Sequence, residues 1–406
     1  MARGKLKKLF PGGNTSQGFY SYYDYIIPPD ATRIFIIKGG PGVGKSTLMR
    51  SIGETMLEMG YDVEYHCCSS DNGSLDGVCI PQIGVALIDG TAPHVVDPKN
   101  PGAVDEIVHL GDYWDEGLMR QNKKAILKSN RRVGRLFQMA YFSLKEAKAI
   151  HEEWESYITE ATDFGRVNES AVSMWRDIFS GVTPNFREQG HSRHLFANAI
   201  TPDGPMNYLD TILQETEKLY VIKGEPGSGK ATIISKTADL AKTLGLFTEV
   251  YHCSFVPQNV DVVVIPELST AVANLSAPVS FEPSCLVNLK SCIEIDLSAF
   301  LSKDTLALYS DEINSCRERF KAAFDRSVHF IGRAKAEHDL MESYYIPAMN
   351  FAAINAKKEE ILTRVLRYAE KVLLPPEGQG QMTSSPARCL VAVSPKRPAI
   401  WKPRMR

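Results

Sequence analysis

The stretch Gly39-Gly40-Pro41-Gly42-Val43-Gly44-Lys45-Ser46-Thr47 decides the fold. It returns, altered, as Gly224-Glu225-Pro226-Gly227-Ser228-Gly229-Lys230-Ala231-Thr232. The first copy satisfies G-x-x-x-x-G-K-[ST] in full through Gly39, Gly44, Lys45 and Ser46. The second keeps Gly224, Gly229 and Lys230 but has Ala231 in place of Ser46. Each part of this pattern has its own task. The glycines let backbone N–H groups curl around phosphate oxygens, the lysine reaches the β- and γ-phosphates, and the Ser or Thr hydroxyl ligates Mg²⁺. The first copy therefore reads as a complete nucleotide–metal cradle, with Gly39–Thr47 as its binding residues. The second reads as a phosphate cradle (Gly224, Gly227, Gly229, Lys230, Thr232) without its metal hydroxyl.

The flanks supply the context that such a loop requires. The apolar run Ile34–Ile37 precedes the first loop, as a buried strand should. Leu48, Met49, Ile52, Met56 and Met59 follow at three- and four-residue steps up to Gly60, which predicts a helix. The second copy has the same frame, with Leu219–Ile222 before it and Ile233 to Leu244 after it, stopped by Gly245. Strand, glycine-rich loop and helix together make a P-loop, or Walker A, unit.

The duplication extends beyond the loops. EYHCCSS from Glu64 answers VYHCSF from Val250, and LDGVCIPQ from Leu75 answers VDVVVIPE from Val260, at an offset of 185 or 186 residues. Upstream, Phe10, Thr15, Gly18 and Tyr22 recur as Phe196, Thr201, Gly204 and Tyr208. Downstream, AKAIHEEWESY from Ala147 answers AKAEHDLMESY from Ala334. The expected fold is α/β, with two tandem P-loop NTPase domains. Each would be a mostly parallel sheet flanked by helices, with helical insertions. The first domain is expected over 1–190, with a helical insertion over about 103–180 in which Ile126, Val133, Leu136, Met139 and Leu144 are spaced periodically. The second is expected over 191–375, with helices over about 304–374. The tail 376–406, rich in Pro, Ser and basic residues, is expected to be disordered.

A length of 406 residues suits two domains, and a net charge of −2 gives no support for nucleic-acid binding. No apolar run is long enough for a membrane span, and the basic start MARGKLKKLF leads into PGGNTSQG and not the apolar core of a signal peptide. The eight cysteines lack disulfide-framework or CxxC spacing, which points to a reducing, cytoplasmic compartment.

A P-loop site also needs a carboxylate at the end of a neighbouring strand to hold Mg²⁺. IGVALIDG, ending in Asp89 and Gly90, has that form, and its counterpart is Asn274. Both metal contacts, Ser46 and Asp89, are thus absent from the second half. Asp76 is the rival carboxylate, but Asp261 retains it in the metal-poor half, which favours a structural role. His94 is matched by Val279 and so tracks the intact half. It is a candidate to orient water or sense the γ-phosphate, against an ordinary turn role. Asp71 and Asn72 point to the same sheet edge. His66-Cys67 and His252-Cys253 read as core, because no set of four metal ligands can be assembled around them. Lys148, His151, Glu155 and Tyr157 match Lys335, His338, Glu342 and Tyr344 on helices, as a polar seam or as a lid facing substrate. Arg131, Arg132, Arg135, Arg317 and Arg319 are candidate arginine fingers or a charged helix face.

The paired P-loop units, DGTAPHVVDP after the first and the AKAxH segment in each half, resemble a family of bacterial tandem P-loop ATP-binding proteins. Its members are mostly described only as ATPases or nucleotide kinases. The resemblance spans about residues 10–370. It implies ATP binding by Gly39, Gly44, Lys45 and Ser46, with Asp89 at the metal, and no particular acceptor. That family commonly has Ser or Thr at the position of Ala231, and its chain ends differ from this basic, Pro-rich tail.

The expected function is an ATP-binding NTPase. The first half would bind and hydrolyse Mg-ATP through Lys45, Ser46 and Asp89, and the second would be structural or regulatory. One alternative is a kinase that passes the γ-phosphate to a nucleotide or small molecule, and another is a non-catalytic ATP-dependent scaffold. No DxxG begins at Asp89 and no Glu follows it directly, so neither GTPase switching nor a strand-Glu ATPase mechanism is supported. The acceptor, any protein partner and the oligomeric state are not specified by the sequence.

Overall fold

The computed structural model describes residues 2–92, 95–185, 190–276 and 281–373. His94 and the tail over 376–406 lie outside them. The first half runs β1 (Leu6–Leu9), β2 (Gly12–Thr15), β3 (Gly18–Ser21), β4 (Arg33–Lys38), α1 (Lys45–Glu58), β5 (Val63–Cys67), β6 (Leu75–Ile80), β7 (Val85–Asp89) and β8 (Asp105–His109). Three helices follow: α2 (Glu116–Gln121), α3 (Lys123–Ala161) and α4 (Phe164–Ile178). The second half repeats the order. It has β9 (Ser192–Phe196), β10 (Asn198–Thr201), β11 (Gly204–Asn207), α5 (Leu209–Ile212), β12 (Lys218–Lys223), α6 (Lys230–Thr243), β13 (Thr248–His252), β14 (Val260–Ile265), β15 (Thr270–Asn274) and β16 (Ser291–Asp296). It closes with α7 (Lys303–Leu308), α8 (Ser310–Tyr345) and α9 (Phe351–Leu373).

Each half forms a six-stranded sheet, in the order β1-β5-β6-β7-β4-β8 and β9-β13-β14-β15-β12-β16. The two orders are the same under the repeat. The sheets are mixed: β6 pairs antiparallel with β5 and β7, and β14 with β13 and β15, while the other pairings are parallel. All of β6 and β14 is buried, and burial on both faces leaves no alternation that would tell direction. A second departure lies at Asp105–His109, inside the expected helical insertion. It is β8, an edge strand whose Ile107 is half exposed. Its charged, alternating DEIVH hides the strand among helical signals. Its counterpart β16 forms the same edge of the other sheet.

The helices cross between the sheets. Val167, Ala171, Met174 and Ile178 of α4 are buried with Tyr220, Ile222, Ile233 and Ile234 of the second sheet and α6. Reciprocally, Ile354, Ile361, Val365 and Ala369 of α9 are buried with Phe35, Met49, Met56 and Leu87 of the first half. Each core is completed by a helix from the other half, so the chain segments 1–190 and 191–375 do not coincide with the two cores. The long helices α3 and α8 pack antiparallel, with Arg132 to Glu337 (3.0 Å), Arg326 to Glu146 and Arg319 to Glu153 (2.7 Å) as successive ion pairs along the seam. Ala140, Leu144, Ala147, Ala323 and Ile331 lie in clusters between them.

An approximate two-fold axis relates the halves. On it, Phe10 N–H donates to Phe196 O and Phe196 N–H donates to Phe10 O, both at 3.0 Å. Two equivalent ion pairs flank this bridge: Arg193 to Glu64 (2.6 Å) and Lys7 to Glu249 (2.5 Å). Burial alone would raise the pKa of Glu64, but the Arg193 guanidinium pulls it well below the usual carboxylate range.

Candidate functional site

The buried strand β4 delivers the first glycine-rich loop to the sheet edge, and α1 starts immediately after it. Gly42 (φ 69°) and Gly44 (φ 86°) adopt left-handed backbone that side chains resist, and this curls the loop back into the helix. Lys45 folds over that curl. Its Nζ donates to Gly39 O (3.0 Å) and Gly40 O (2.8 Å) and lies 3.6 Å from Asp89 Oδ2. Parallel pairing sets Asp89 beside Ile37, at the end of the strand that leads into the loop. Asp89 Oδ1 accepts from Thr91 N–H (2.8 Å), and Thr91 Oγ1 donates to Gly39 O (3.0 Å). Ser46 Oγ accepts from Leu75 N–H (3.0 Å). Lys45, Ser46 and Asp89 thus converge on one loop, while Thr47 is exposed on the helix.

Antiparallel register adds another group. Gly77 pairs with Ile88, so Asp76 stands opposite Asp89 at the next position. Asp76 is buried and its charge acts on the buried Tyr23 hydroxyl, whose pKa burial already raises. Among the described residues no three His, Cys, Asp or Glu side chains gather as a metal cluster. The residues nevertheless fit a hard cation, because the hydroxyl of Ser46 and the carboxylate of Asp89 are oxygen donors. Mg²⁺ takes one or two such ligands and completes its shell with water and phosphate.

The second loop has the same curl and different chemistry. Lys230 Nζ donates to Gly224 O and Glu225 O, both at 2.7 Å. Burial lowers the Lys230 pKa below its ordinary value. Asn274 occupies the position of Asp89, and its Nδ2 donates to Asp261 Oδ1 (3.1 Å). The carboxylate that faces Asp89 in the first half is here closed off by an amide. Burial raises the Asp261 pKa against that hydrogen bond. Ala231 and the exposed Thr232 line a shallow recess of about 260 Å³ with Ser235, Lys236 and Gln258.

The long helices reach across to the loops of the opposite halves. At the first loop, Gly42 N–H donates to Glu342 Oε1 of α8 (3.1 Å), and a Cβ at Gly40 would run into the Tyr345 ring. His338 Nδ1 lies 3.7 Å from Glu342 Oε1, and Lys335 Nζ lies 3.2 Å from Asp71 Oδ1. At the second loop, α3 covers Gly227, with Thr159 Oγ1 donating to Gly227 O (3.3 Å). Beside it opens a cavity of about 440 Å³, lined by Ile158, Glu225, Leu301, Leu306, Ile313 and Arg317. The repeated Lys-His-Glu spacing of the AKAxH segments was the signal in the sequence for this arrangement. Which loop each segment serves could not be read there, because the crossing is a tertiary fact. Tyr345 and Thr159 carried no signal.

The remaining candidates are dispersed. Arg317 reaches Glu225 of the second loop (3.0 Å), whereas Arg132 and Arg319 are held in the α3–α8 seam. Arg135 bonds Gln138 on its own helix (2.8 Å) and Arg131 is exposed. Asn72 pairs with Asp203. His66 and His252 are buried within the sheets. No helix among the described residues is long and apolar enough to cross a membrane. No family model, curated protein or solved structure matches the chain.

Proposed function

We propose that the chain is a P-loop ATP-binding protein whose first half binds Mg-ATP and breaks its terminal phosphoanhydride bond. The carrying observation is the loop Gly39–Ser46 between a buried strand and α1, with Lys45 folded over it and Asp89 Oδ2 3.6 Å from the lysine. Lys45 would leave the loop carbonyls to neutralise the β- and γ-phosphates, and the N–H groups at the start of α1 would add their positive field. Ser46 and Asp89 would hold the magnesium, which supplies charge neutralisation when bound. The second half would be a structural or regulatory partner, since Ala231 and Asn274 offer neither metal contact. Kinase chemistry is a second reading. The placement of α8 over the first loop favours it, because a cover that excludes water protects a phosphate in transfer. ATP turnover of the full chain, with and without nucleotide and small-molecule acceptors, tests both. Lack of Mg-ATP binding would defeat the proposal.

A further inference from the structure

Among the described residues of the first half, the carboxylates at the strand ends are Asp89 and Asp76, which is buried opposite it. Asp89 is turned to Thr91 and Lys45, and the strand end carries no second carboxylate after it. The opposite half supplies one. Glu342 projects from the last turn of α8 onto the loop and accepts from Gly42 N–H at 3.1 Å. It is an anion resting on a donor that the glycine-rich loop turns toward phosphate. Its side chain remains 29% exposed, so a proton taken there can leave to solvent. His338, one helical turn earlier, turns Nδ1 toward it at 3.7 Å, and that nitrogen is buried without a hydrogen-bond partner among the described residues.

The contact belongs to the intact half alone. At the second loop the equivalent helix touches through the Thr159 hydroxyl, and Glu155 is directed to His151 (3.5 Å). Glu155 also lies near the second loop, where its charge acts on Lys230, but among the described residues Glu342 is the one that accepts from a loop N–H, where Ser46 and Asp89 are present.

We infer that the first site is composite and that Glu342, with His338 Nδ1 3.7 Å from it, is its general base in trans. This rests on the reading of Gly39–Ser46 as an ATP site. When nucleotide is bound, Gly42 N–H turns to a phosphate oxygen and the Glu342 carboxylate is released to the attacking O–H group, of water or of an acceptor hydroxyl. The attacking oxygen forms its bond to the γ-phosphorus as the bond from phosphorus to the bridging oxygen breaks. ADP leaves with that electron pair. The proton of the attacking group passes to Glu342 and then to solvent. Glu342 is therefore a catalytic residue and His338 a positioning residue.

The test uses the full chain, Mg-ATP binding by calorimetry, and phosphate release. Glu342→Gln keeps the shape and removes the base. Its expected signature is binding as tight as wild type or tighter, with kcat lowered by about 10²-fold or more, the range for losing a general base. His338→Gln should lower kcat less and leave binding alone. Glu146→Gln, which cuts an ion pair in the same α3–α8 seam, should leave both unchanged and so controls for helix packing. Wild-type kcat in Glu342→Gln, or a kcat that rises with tighter binding, overturns the inference and makes the carboxylate only a plug of the loop. A wild-type chain that binds no Mg-ATP overturns the underlying site and this inference together.

Discussion

The two glycine-rich loops share one backbone and differ in what surrounds them. Both follow a buried strand, both begin a 14-residue helix, and in both the lysine is folded onto two loop carbonyls. Around the first, two carboxylates face each other across β6 and β7, a serine hydroxyl is at hand and a glutamate arrives from the other half. Around the second, an amide has replaced one carboxylate and bonds the other, an alanine has replaced the serine, and the covering helix offers Thr159. The difference shows that loop geometry is set by strand, glycines and helix start, whereas the proposed metal contacts belong to separate side chains that can differ without disturbing the curl.

The largest effect should come from Lys45→Ala. Removing a point charge from an enclosed phosphate seat costs about 10²–10³ in turnover. The same change at Lys230 should leave turnover much closer to wild type. If phosphate release from the two variants were equal, the functional asymmetry between the loops would be broken. Next is Arg193→Ala, which leaves Glu64 buried and unpaired at a cost of about 3–5 kcal/mol. Glu64 has a folded pKa below its ordinary 4.5. Its ionised form therefore adds stability that is fully present above pH 4.5 and is lost as pH falls through the folded value. Denaturant titrations of wild type and Arg193→Ala should differ most above pH 5 and converge in acid. A constant gap down to pH 2 would contradict the ion-pair account.

The crossing of helices gives a third effect. Ile361→Ala in α9 should lose about 2–5 kcal/mol, the range for a fully buried isoleucine. The residue lies in the second half of the chain, yet it should loosen the first sheet. Hydrogen exchange of β4 and β7 amides should accelerate in that variant, and of β12 and β15 amides in Met174→Ala. The reverse pattern would refute the crossing. Smallest is Asp89→Asn, which copies Asn274. It replaces two facing carboxylates by the amide–carboxylate bond seen at Asp261. Without metal it should gain about 1 kcal/mol in stability, while Mg²⁺ loses its effect on turnover. Thermal unfolding in EDTA and a Mg²⁺ titration read the two halves of that claim, and a lower melting temperature would show that the lost ion pair of Asp89 with Lys45 outweighs its repulsion by Asp76.

The strand–loop–helix frames were legible because their signals are local: an apolar run, glycines at fixed steps, and a three-four periodicity. Asp89 was legible because a strand ending in a carboxylate is also local. The direction of β6 was not, since a strand buried on both faces has the same composition whichever way it runs. The edge strand β8 was hidden by its charged residues. The helical regions over about 103–180 and 304–374 were legible, but a helix's apolar face specifies burial and not the partner that provides it. Glu342 stood out as one of a repeated set, and only the antiparallel pairing of α3 with α8 carries it to the loop of the other half.

The reciprocal bridge of Phe10 with Phe196 has a consequence for symmetry itself. A single half on its own would expose the core that its partner's helix covers. It would be complete only as a pair of identical chains exchanging helices, with two identical sites. In such a pair every substitution acts twice, so losing the serine would empty both cradles of their metal hydroxyl. Covalent continuity from one half into the next removes that constraint. One loop can keep the proposed oxygen ligands Ser46 and Asp89 while the other gives them up and still lends its helix, and the proposed division of labour is open only to a chain that carries both halves.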